Sequence, residues 1–367
     1  MPFSAFLGNE ATVRHLREAI AAGRLPHALI LAGPRGAGKY TLAVMLAQAA
    51  NCLHPPSPGP DGLPDFCGAC SNCTRIGESA DLDARVTEAV ATREDLRDAD
   101  KRDTRILIQT HPDVLIIPPD PPQLLIKIGQ VRMLMREIYR VPAEARRSFF
   151  IFTSAAFMKE AANSLLKVLE EPPAYATIIL LAENPGELLP TIRSRAGIFR
   201  LGAVPSAQLE QLLAERRPQW KPAERALIAR LSEGAIGRAL GFDLPAYLAS
   251  RTDALLLLRS SLSDGDYSSL FRVTETYRAG AEGQEKTEGM LRAAASLLED
   301  LLLLKAESPN LLRNIDLAKE LASMASSVTI DWIESAARGL RGVESGMRRN
   351  LLRSLALDSF AAQLGGS

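Results

Sequence analysis

The chain has little that would mark a secreted, membrane-spanning or strongly basic protein. Its 43 Lys and Arg balance 43 Asp and Glu, so the formal net charge is +0 and no global attraction to nucleic acid is expected. The sequence shows no N-terminal signal pattern and no uninterrupted apolar run long enough to cross a bilayer. Aromatic residues are only 5% while hydrophobic residues reach 47%. We expect a helix-rich cytoplasmic protein without membrane contacts.

Cysteine is scarce, and all four cysteines fall in one segment: Cys52, Cys67, Cys70 and Cys73. Two overlapping C-x₂-C pairs place three thiolates on one tight turn, and the fourth can complete a tetrahedral Zn²⁺ site. Disulfides are the alternative, but a cytosolic chain disfavours them, and redox chemistry lacks its usual sequence context. His54 is a possible substitute ligand. The spacing predicts a structural zinc site.

A phosphate-binding loop is present, but its metal ligand is missing. Residues 33–41 read GPRGAGKYT, in which glycines bring backbone N–H groups to phosphate and the Lys reaches the β- and γ-phosphates. The next residue should carry a hydroxyl that holds Mg²⁺. Tyr40 stands there, a phenol is too long for that position, and Thr41 lies about 100° further round the helix. The pattern predicts a loop without its metal ligand.

An acidic strand end, the second half of an ATPase site, is also missing. Residues 148–152, SFFIF, suit a strand buried on both faces. The strand continues into Thr153 and Ser154, where carboxylates that bind Mg²⁺ and polarise water are needed. Two independent losses predict a degenerate ATPase. Weak ATP or ADP binding without hydrolysis is left open, through these candidate residues: Gly33, Gly36, Gly38, Lys39 and Thr41.

The order of elements predicts an α/β fold with a doubly wound parallel sheet. Apolar strands are expected at these positions: 28–32, 114–117, 149–152, 177–182 and 199–201. Helices are expected between them, the first of them (residues 40–51) directly after the phosphate loop. Residues 78–105 are charge-dense and predict a partly helical or mobile surface insertion. Beyond about residue 205, strand signals vanish.

Several motifs together resemble the AAA+ subunits of the bacterial DNA polymerase III clamp loader over about residues 3–242. They are GPRGAGK, the cysteine module, HPD at 111–113, NSLLKVLEEPP at 163–173 and the Ser-Arg pair at 194–195. The degenerate loop resembles the delta prime type more than the gamma/tau motor type. The resemblance implies a RecA-like AAA+ domain at 1–203, with a zinc module at 52–73 and the insertion at 78–105. A helical lid at 204–244 and an all-α collar for oligomerisation at 245–367 would follow.

The resemblance assigns two arginines. It implies that Arg195 acts in trans as an arginine finger on ATP bound by a neighbouring motor subunit, a role that suits a permanently charged, planar guanidinium. Ala196 replaces the family's usual Cys beside it. The alternative is a local pairing of Arg195 with a carboxylate such as Glu171. Arg238 matches the lid arginine, which would sense nucleotide in active relatives or merely fix the lid here.

The implied function is a stator subunit that helps open the sliding clamp and load it on primed DNA. Implied partners are the gamma/tau and delta subunits, the clamp, and primer-template DNA through the complex. The chain would then lack intrinsic ATPase activity while belonging to the DNA polymerase III holoenzyme, a DNA-directed DNA polymerase. An active clamp-loader ATPase with an unrecognised metal ligand is the alternative. A zinc-containing DNA-binding module is a third hypothesis, which the neutral charge disfavours.

Overall fold

The chain divides into two compact units. The computed structural model describes residues 2–59, 61–97, 100–101, 104–262, 268–277, 281–347 and 352–365. The first unit is Met1–Val204 together with Gly234–Arg238, and the second is Pro205–Glu233 together with Ala239–Ser367. The division of the sequence into AAA+ domain, lid and collar remains a prediction.

A six-stranded sheet forms the centre of the first unit. The strands are β1 (Ala28–Ala32), β2 (Ile108–His111), β3 (Val114–Ile117), β4 (Ser148–Phe152), β5 (Ala176–Ala182) and β6 (Gly197–Arg200). Their order is β2-β3-β4-β5-β1-β6, and every pairing except β2 with β3 is parallel. The predicted α/β class with a doubly wound parallel sheet is confirmed, since β1 lies inside the sheet between β5 and β6.

Strand β2 was not predicted. It pairs antiparallel with β3 at the edge of the sheet, with His111 opposite Val114. Asp113, between the two strands, accepts hydrogen bonds from the backbone N–H groups of residues 143, 144 and 145. The HPD motif therefore closes a hairpin and anchors the loop that leads into β4.

Helices cover both faces of the sheet. They are α1 (Glu10–Ala21), α2 (Lys39–Asn51), α3 (Ser71–Gly77), α4 (Leu82–Glu94), α5 (Ile128–Glu137), α6 (Lys159–Glu170) and α7 (Pro190–Arg193). Alternate residues of β1 point into two separate cores: Leu29 and Leu31 pack with α1, α2 and α3, whereas Ile30 packs with α5, α6 and α7. The unit is therefore a three-layer sandwich, as expected for a parallel sheet buried on both sides.

The charge-dense segment is helical over α4, and this helix is anchored. Asp81 caps it by accepting a hydrogen bond from the N–H of Ala84 at 3.1 Å. Arg93 near its C-terminal end is buried and forms an ion pair with the fully buried Asp120, which also lies 3.5 Å from Lys127 Nζ. Residues 98–99 and 102–103 of the predicted insertion lie outside the described residues. The segment thus contributes a buried charge to the unit as well as a surface helix.

The second unit contains helices and no strand among its described residues, as predicted. Its helices are α8 (Ser206–Arg216), α9 (Pro222–Leu231), α10 (Ile236–Leu240, mostly in the first unit), α11 (Leu244–Ser260), α12 (Ser268–Thr274), α13 (Ala281–Lys305), α14 (Ala318–Ser327), α15 (Ile330–Met347) and α16 (Arg353–Gly365). Leucine runs at 255–258 and 301–304 contribute Leu257, Leu258 and Leu301 to its core. Among the described helices, none is both long and apolar enough to span a membrane.

A buried polar network ties this helical core together. Arg251 donates to both carboxylate oxygens of Asp316 and to Asn314. The Asp300 carboxylate accepts from the backbone N–H groups of Arg313 and Asn314 at 2.8 Å each. Because these groups satisfy one another, their burial is compatible with an apolar core.

Candidate functional site: the phosphate loop, the cysteine cluster and Arg195

The phosphate loop lies between β1 and α2, the strand–loop–helix setting that this motif requires. Gly36 and Gly38 have φ of +82° and +86°, which residues with a side chain rarely adopt. Lys39 is the first residue of α2, and its ammonium donates hydrogen bonds to the carbonyls of Gly33 and Pro34, the latter at 2.9 Å. Burial lowers the pKa of Lys39, while nearby Glu183 and Glu187 act in the opposite direction. The predicted order of strand, loop and helix is present around Lys39.

Tyr40 points towards the segment that follows α3. Its hydroxyl donates a hydrogen bond to the backbone carbonyl of Ser79 at 2.6 Å, and its ring packs against the core between the sheet and α2. Burial raises the pKa of Tyr40 to about 12, against a smaller opposing effect of the Ser79 side chain. The hydroxyl that replaces the expected metal ligand is thus committed to another segment of the chain. Thr41, the next hydroxyl, is exposed.

The carboxyl end of β4 carries hydroxyls and no carboxylate. Thr153 continues the sheet by donating its N–H to the carbonyl of Ile117 at 3.1 Å, and Ser154 accepts from the N–H of Ala156. Carboxylates near Lys39 come instead from the segment after β5. Of these, Glu187 accepts hydrogen bonds from the N–H groups of Glu183 and Asn184, so it stabilises a local turn.

Gly237, one residue before the predicted Arg238, faces the phosphate loop. Its N–H donates to the carbonyl of Gly36 at 2.8 Å. Arg238 follows within α10, and its side chain is exposed. The structure therefore brings the predicted loop glycines, Lys39 and the backbone of Arg238 into one neighbourhood. Sequence reasoning missed Gly237, although a glycine at this helical position was a possible signal of close backbone packing.

The four cysteines form a compact cluster. Their sulfur atoms lie within 4.8 Å of one another, and all four are free thiols. Sulfurs bound to Zn²⁺ at about 2.3 Å in a tetrahedron are about 3.8 Å apart, so the cluster is close to the required size. Backbone N–H groups of Cys67, Cys70 and Cys73 donate to the sulfurs of Cys52, Cys67 and Cys70. These residues could hold a metal ion, because such N–H contacts stabilise thiolates.

Two of the thiols differ sharply in their surroundings. At Cys70, burial is outweighed by the N–H groups of Cys73 and Leu53, and the pKa falls to about 6. At Cys73, burial dominates and raises the pKa of the thiol. Metal binding requires thiolates, so it would release protons from the more buried members of the set. His54, the possible substitute ligand, lies outside the cluster of potential ligand atoms.

The cysteine cluster is attached directly to the helix that follows the phosphate loop. Gln48 of α2 donates to the carbonyl of Cys73 at 2.8 Å, and Asn72 of α3 donates to the carbonyl of Asn51 at 3.1 Å. The bond from Tyr40 to Ser79, just beyond α3, is a third link. Sequence reasoning did not connect Tyr40 with the cysteine module, because the residue is separated from Ser79 by 39 positions.

Arg195 lies at a different part of the unit, directly after α7 and before β6. Its Nη2 is 2.7 Å from Glu170 Oε1, and its Nη1 donates to the carbonyl of Thr191 at 3.0 Å. The side chain is 35% exposed and that of Glu170 is 52% exposed. A local carboxylate partner was the alternative hypothesis, with Glu171 as the example. The observed partner is the preceding residue, and the arginine remains partly accessible from solvent.

Comparison with known proteins identifies the family. Residues 8–205, more than half of the chain, match a family described as DNA polymerase III, delta subunit. The chain belongs to the clamp-loader AAA+ family of DNA polymerase III subunits. The matched residues cover the sheet, the phosphate loop, the cysteine cluster and Arg195, which are the features that suggested this family in the sequence.

Relatives come from two branches of this clamp-loader family. The chain is 31% identical over 202 residues to DNA polymerase III subunit delta' of Bacillus subtilis, covering 55% of this chain and 50% of the relative. It is 29% identical over 213 residues to subunit gamma/tau of Mycobacterium tuberculosis, covering 58% and 30%. It is 26% identical over 277 residues to subunit tau of Escherichia coli, covering 73% and 37%. The chain thus spans between about a third and a half of the length of these relatives.

Proposed function

We propose that this chain is a delta prime-like stator subunit of the clamp loader, without ATP hydrolysis of its own. The observation that carries the proposal is the position of Tyr40. Its hydroxyl is hydrogen-bonded to Ser79, just beyond α3, so it cannot serve as the Mg²⁺ ligand that normally follows the loop lysine. Thr153 and Ser154 supply no carboxylate at the end of β4, so the attacking water also lacks its usual polarising group.

The chemical contribution of the subunit is Arg195, acting in trans. Its guanidinium is held at the surface between α6 and β6 and remains partly exposed. An arginine presented by one subunit to the γ-phosphate held by another stabilises transition-state charge, and its planar fork matches phosphate oxygens. The function thus needs only the charge and geometry of one side chain, which survive the loss of the chain's own ATPase residues.

The cysteine cluster serves as a structural Zn²⁺ site in this proposal. Cys52, Cys67, Cys70 and Cys73 would hold the ion, and four thiolates leave no open position for water or substrate. The bound ion would stabilise the turn at 67–73 and, through α3, the helix after the phosphate loop. The loop glycines and Lys39 can still hold the phosphates of ATP or ADP weakly without a metal.

The implied partners are the gamma/tau and delta subunits, with the sliding clamp and primer-template DNA reached through the assembled complex in the cytoplasm. The helical second unit offers a surface for assembly. A groove of about 720 Å³ lies between α13 and α15 and is lined by both apolar and charged residues. Its lining includes Leu298, Leu302 and Leu340, and Leu302 is 46% exposed. Exposed leucine beside charged residues is typical of a protein interface.

Steady-state ATP turnover by the isolated chain tests the proposal. We expect no appreciable hydrolysis at saturating Mg-ATP, and no change on Lys39→Ala. Turnover that disappears in Lys39→Ala would instead identify an active clamp-loader ATPase of the gamma/tau type. Under the proposal, adding the parent chain to candidate motor subunits should raise their ATP turnover, and adding Arg195→Ala should not.

A further inference from the structure

Glu170 makes an ion pair that the proposed function does not explain by itself. Its carboxylate contacts Nη2 of Arg195 at 2.7 Å, across 25 positions of sequence. Glu170 is the last residue of α6, and Arg195 follows the end of α7, which packs against α6. With Thr191 accepting from Nη1, the guanidinium is held from two sides. The contact therefore joins two helix ends at the point where Arg195 reaches the surface.

Glu170 stands at an unfavourable place for a carboxylate. The C-terminus of a helix carries partial negative charge from its free carbonyls, and acidic side chains there destabilise the helix. Glu171 follows directly and adds a second negative charge. A cation from another element, Arg195, offsets that charge.

We propose that Glu170 is a positioning residue for Arg195, an inference that rests on the proposed trans-acting role of this arginine. A free arginine samples many rotamers, and ordering it on binding is unfavourable. Glu170 and the carbonyl of Thr191 hold the guanidinium in one orientation before a neighbouring subunit binds. The neighbour's phosphate then meets an ordered side chain. The role needs the negative charge of Glu170 and no contact between Glu170 and the phosphate.

A double-mutant cycle in the reconstituted complex tests this proposal, with ATP turnover as the readout. Glu170→Gln should lower kcat at the site that faces this subunit by up to about fivefold, with little change in KM, because exposed ion pairs are weak. The same substitution in an Arg195→Ala background should have no further effect. Glu171→Gln, which removes the adjacent carboxylate, should leave turnover unchanged.

Two results would overturn the assignment of Glu170. Equal losses from Glu170→Gln in both backgrounds would show a general structural role, and increased turnover would show that Glu170 restrains Arg195 instead of positioning it. If Arg195→Ala alone leaves turnover unchanged in a correctly assembled complex, the trans-acting role fails, and the positioning role fails with it.

A second inference rests on a separate observation, the backbone packing around Gly36. The N–H of Gly237 donates to the Gly36 carbonyl at 2.8 Å. A Cβ added to Gly36 would lie 2.8 Å from the backbone nitrogen of Arg238, and one added to Gly237 would lie 3.2 Å from the Cα of Gly36. Gly234 packs just as closely, since an added Cβ would lie 2.4 Å from that of Ala203.

We infer that the phosphate loop also serves as a docking surface for Gly234–Arg238, whether or not nucleotide is bound. Phosphates are bound by the N–H groups of such a loop, whereas this contact uses the carbonyl of Gly36. The two interactions therefore do not compete for the same atom. A chain that has lost hydrolysis still requires a glycine at position 36, because a side chain there would meet the backbone of Arg238.

Thermal unfolding and amide hydrogen exchange without nucleotide test the docking role. Gly36→Ala should lower Tm more than Gly23→Ala, and only Gly36→Ala should speed exchange of the Gly237 amide, by tenfold or more. Gly23 is the matched control, because its φ is +63° but an added Cβ would meet nothing within 4 Å. Gly237→Pro removes the N–H donor in the first turn of α10 and keeps the loop glycine.

Gly237→Pro should lower Tm as well, which keeps the inference testable if Gly36→Ala does not fold. Equal Tm losses for Gly36→Ala and Gly23→Ala, with unchanged exchange at Gly237, would overturn it. So would a Gly237→Pro variant as stable as the parent, since the hydrogen bond would then contribute nothing.

Discussion

The phosphate loop and the surface around Arg195 belong to the same unit but differ in where their polar side chains point. In the loop, Lys39 is hydrogen-bonded to the loop's own carbonyls and Tyr40 to Ser79. At the surface, Arg195 is held by Glu170 and still exposes about a third of its side chain. The polar groups of Lys39 and Tyr40 are thus bonded to carbonyls of their own unit, whereas the guanidinium of Arg195 stays partly accessible from solvent.

Tyr40, at the position where the sequence pattern expects a metal ligand, has a structural role. A Ser or Thr at this place would leave its hydroxyl near the phosphates, but the longer phenol reaches the segment after α3. The residue thereby links α2 to the cysteine cluster. The two regions are therefore distinguishable by mutation: changes around Tyr40 should affect stability, and changes at Arg195 should affect the activity of a complex.

Arg195→Ala is expected to have the largest effect. Arginine fingers acting in trans contribute about 10³- to 10⁵-fold in rate, so hydrolysis at the facing site should be nearly abolished. Total turnover should fall only partly if other subunit interfaces of the complex also hydrolyse ATP. Arg195→Lys should restore little, since lysine lacks the planar fork. ATP turnover and clamp loading by the reconstituted complex measure both.

Arg200→Ala, at a nearby exposed arginine, is the control for this experiment. Both variants should fold and assemble like the parent. Clamp loading by the Arg195→Ala complex at the parental rate would contradict a trans-acting role of the exposed Arg195. Unfolding of the variant would show that Arg195 stabilises the fold.

Removal of the metal should have the next largest effect, and it should lower the stability of the region around the phosphate loop. Protein purified under reducing conditions is expected to contain one zinc per chain. Cys73→Ser should lose that zinc and lower the first unfolding transition by about 10 °C, because metal binding is coupled to folding of such modules. Metal analysis with calorimetry checks both. A parent protein that contains no zinc and unfolds at the same temperature as Cys73→Ser would contradict a structural zinc site.

The parts predictable from sequence are those with strong local patterns. Parallel strands buried on both faces appear as apolar runs, and C-x₂-C spacing brings sulfurs together whatever the surrounding fold. Strand β2 escaped prediction because it has only four residues, three of them polar, and derives its stability from pairing with β3. A sequence segment this short, with so few apolar residues, cannot be distinguished from a loop.

Other contacts depend on the relative orientation of distant helices, which a single sequence does not determine. The alternative partner of Arg195 was placed at Glu171, yet the end of α6 presents Glu170 instead. The burial of Arg93 against Asp120 was missed for the same reason, since a charge-dense segment usually lies in solvent. Tyr40 was recognised as unsuitable for Mg²⁺, but its bond to Ser79 required the fold.

Tyr40→Phe should have the smallest effect, and the pH dependence of the stability difference reports on the hydrogen bond from Tyr40 to Ser79. The ring remains, so near neutral pH the loss of one hydrogen bond to Ser79 should lower the free energy of unfolding by about 1 kcal/mol.

The pKa of Tyr40 is about 12 in the folded state, against about 10 for an unfolded tyrosine. The folded chain therefore holds this proton more tightly. The contribution is fully present below pH 10 and is lost as pH rises from 10 to 12, by at most about 1.4 kcal/mol per pH unit. Since phenylalanine does not titrate, the stability advantage of the parent over the variant should shrink across that range in urea unfolding. An advantage that stays constant from pH 8 to 11.5 would mean that the hydroxyl is not held in the folded interior, and the inward half of the comparison would fail.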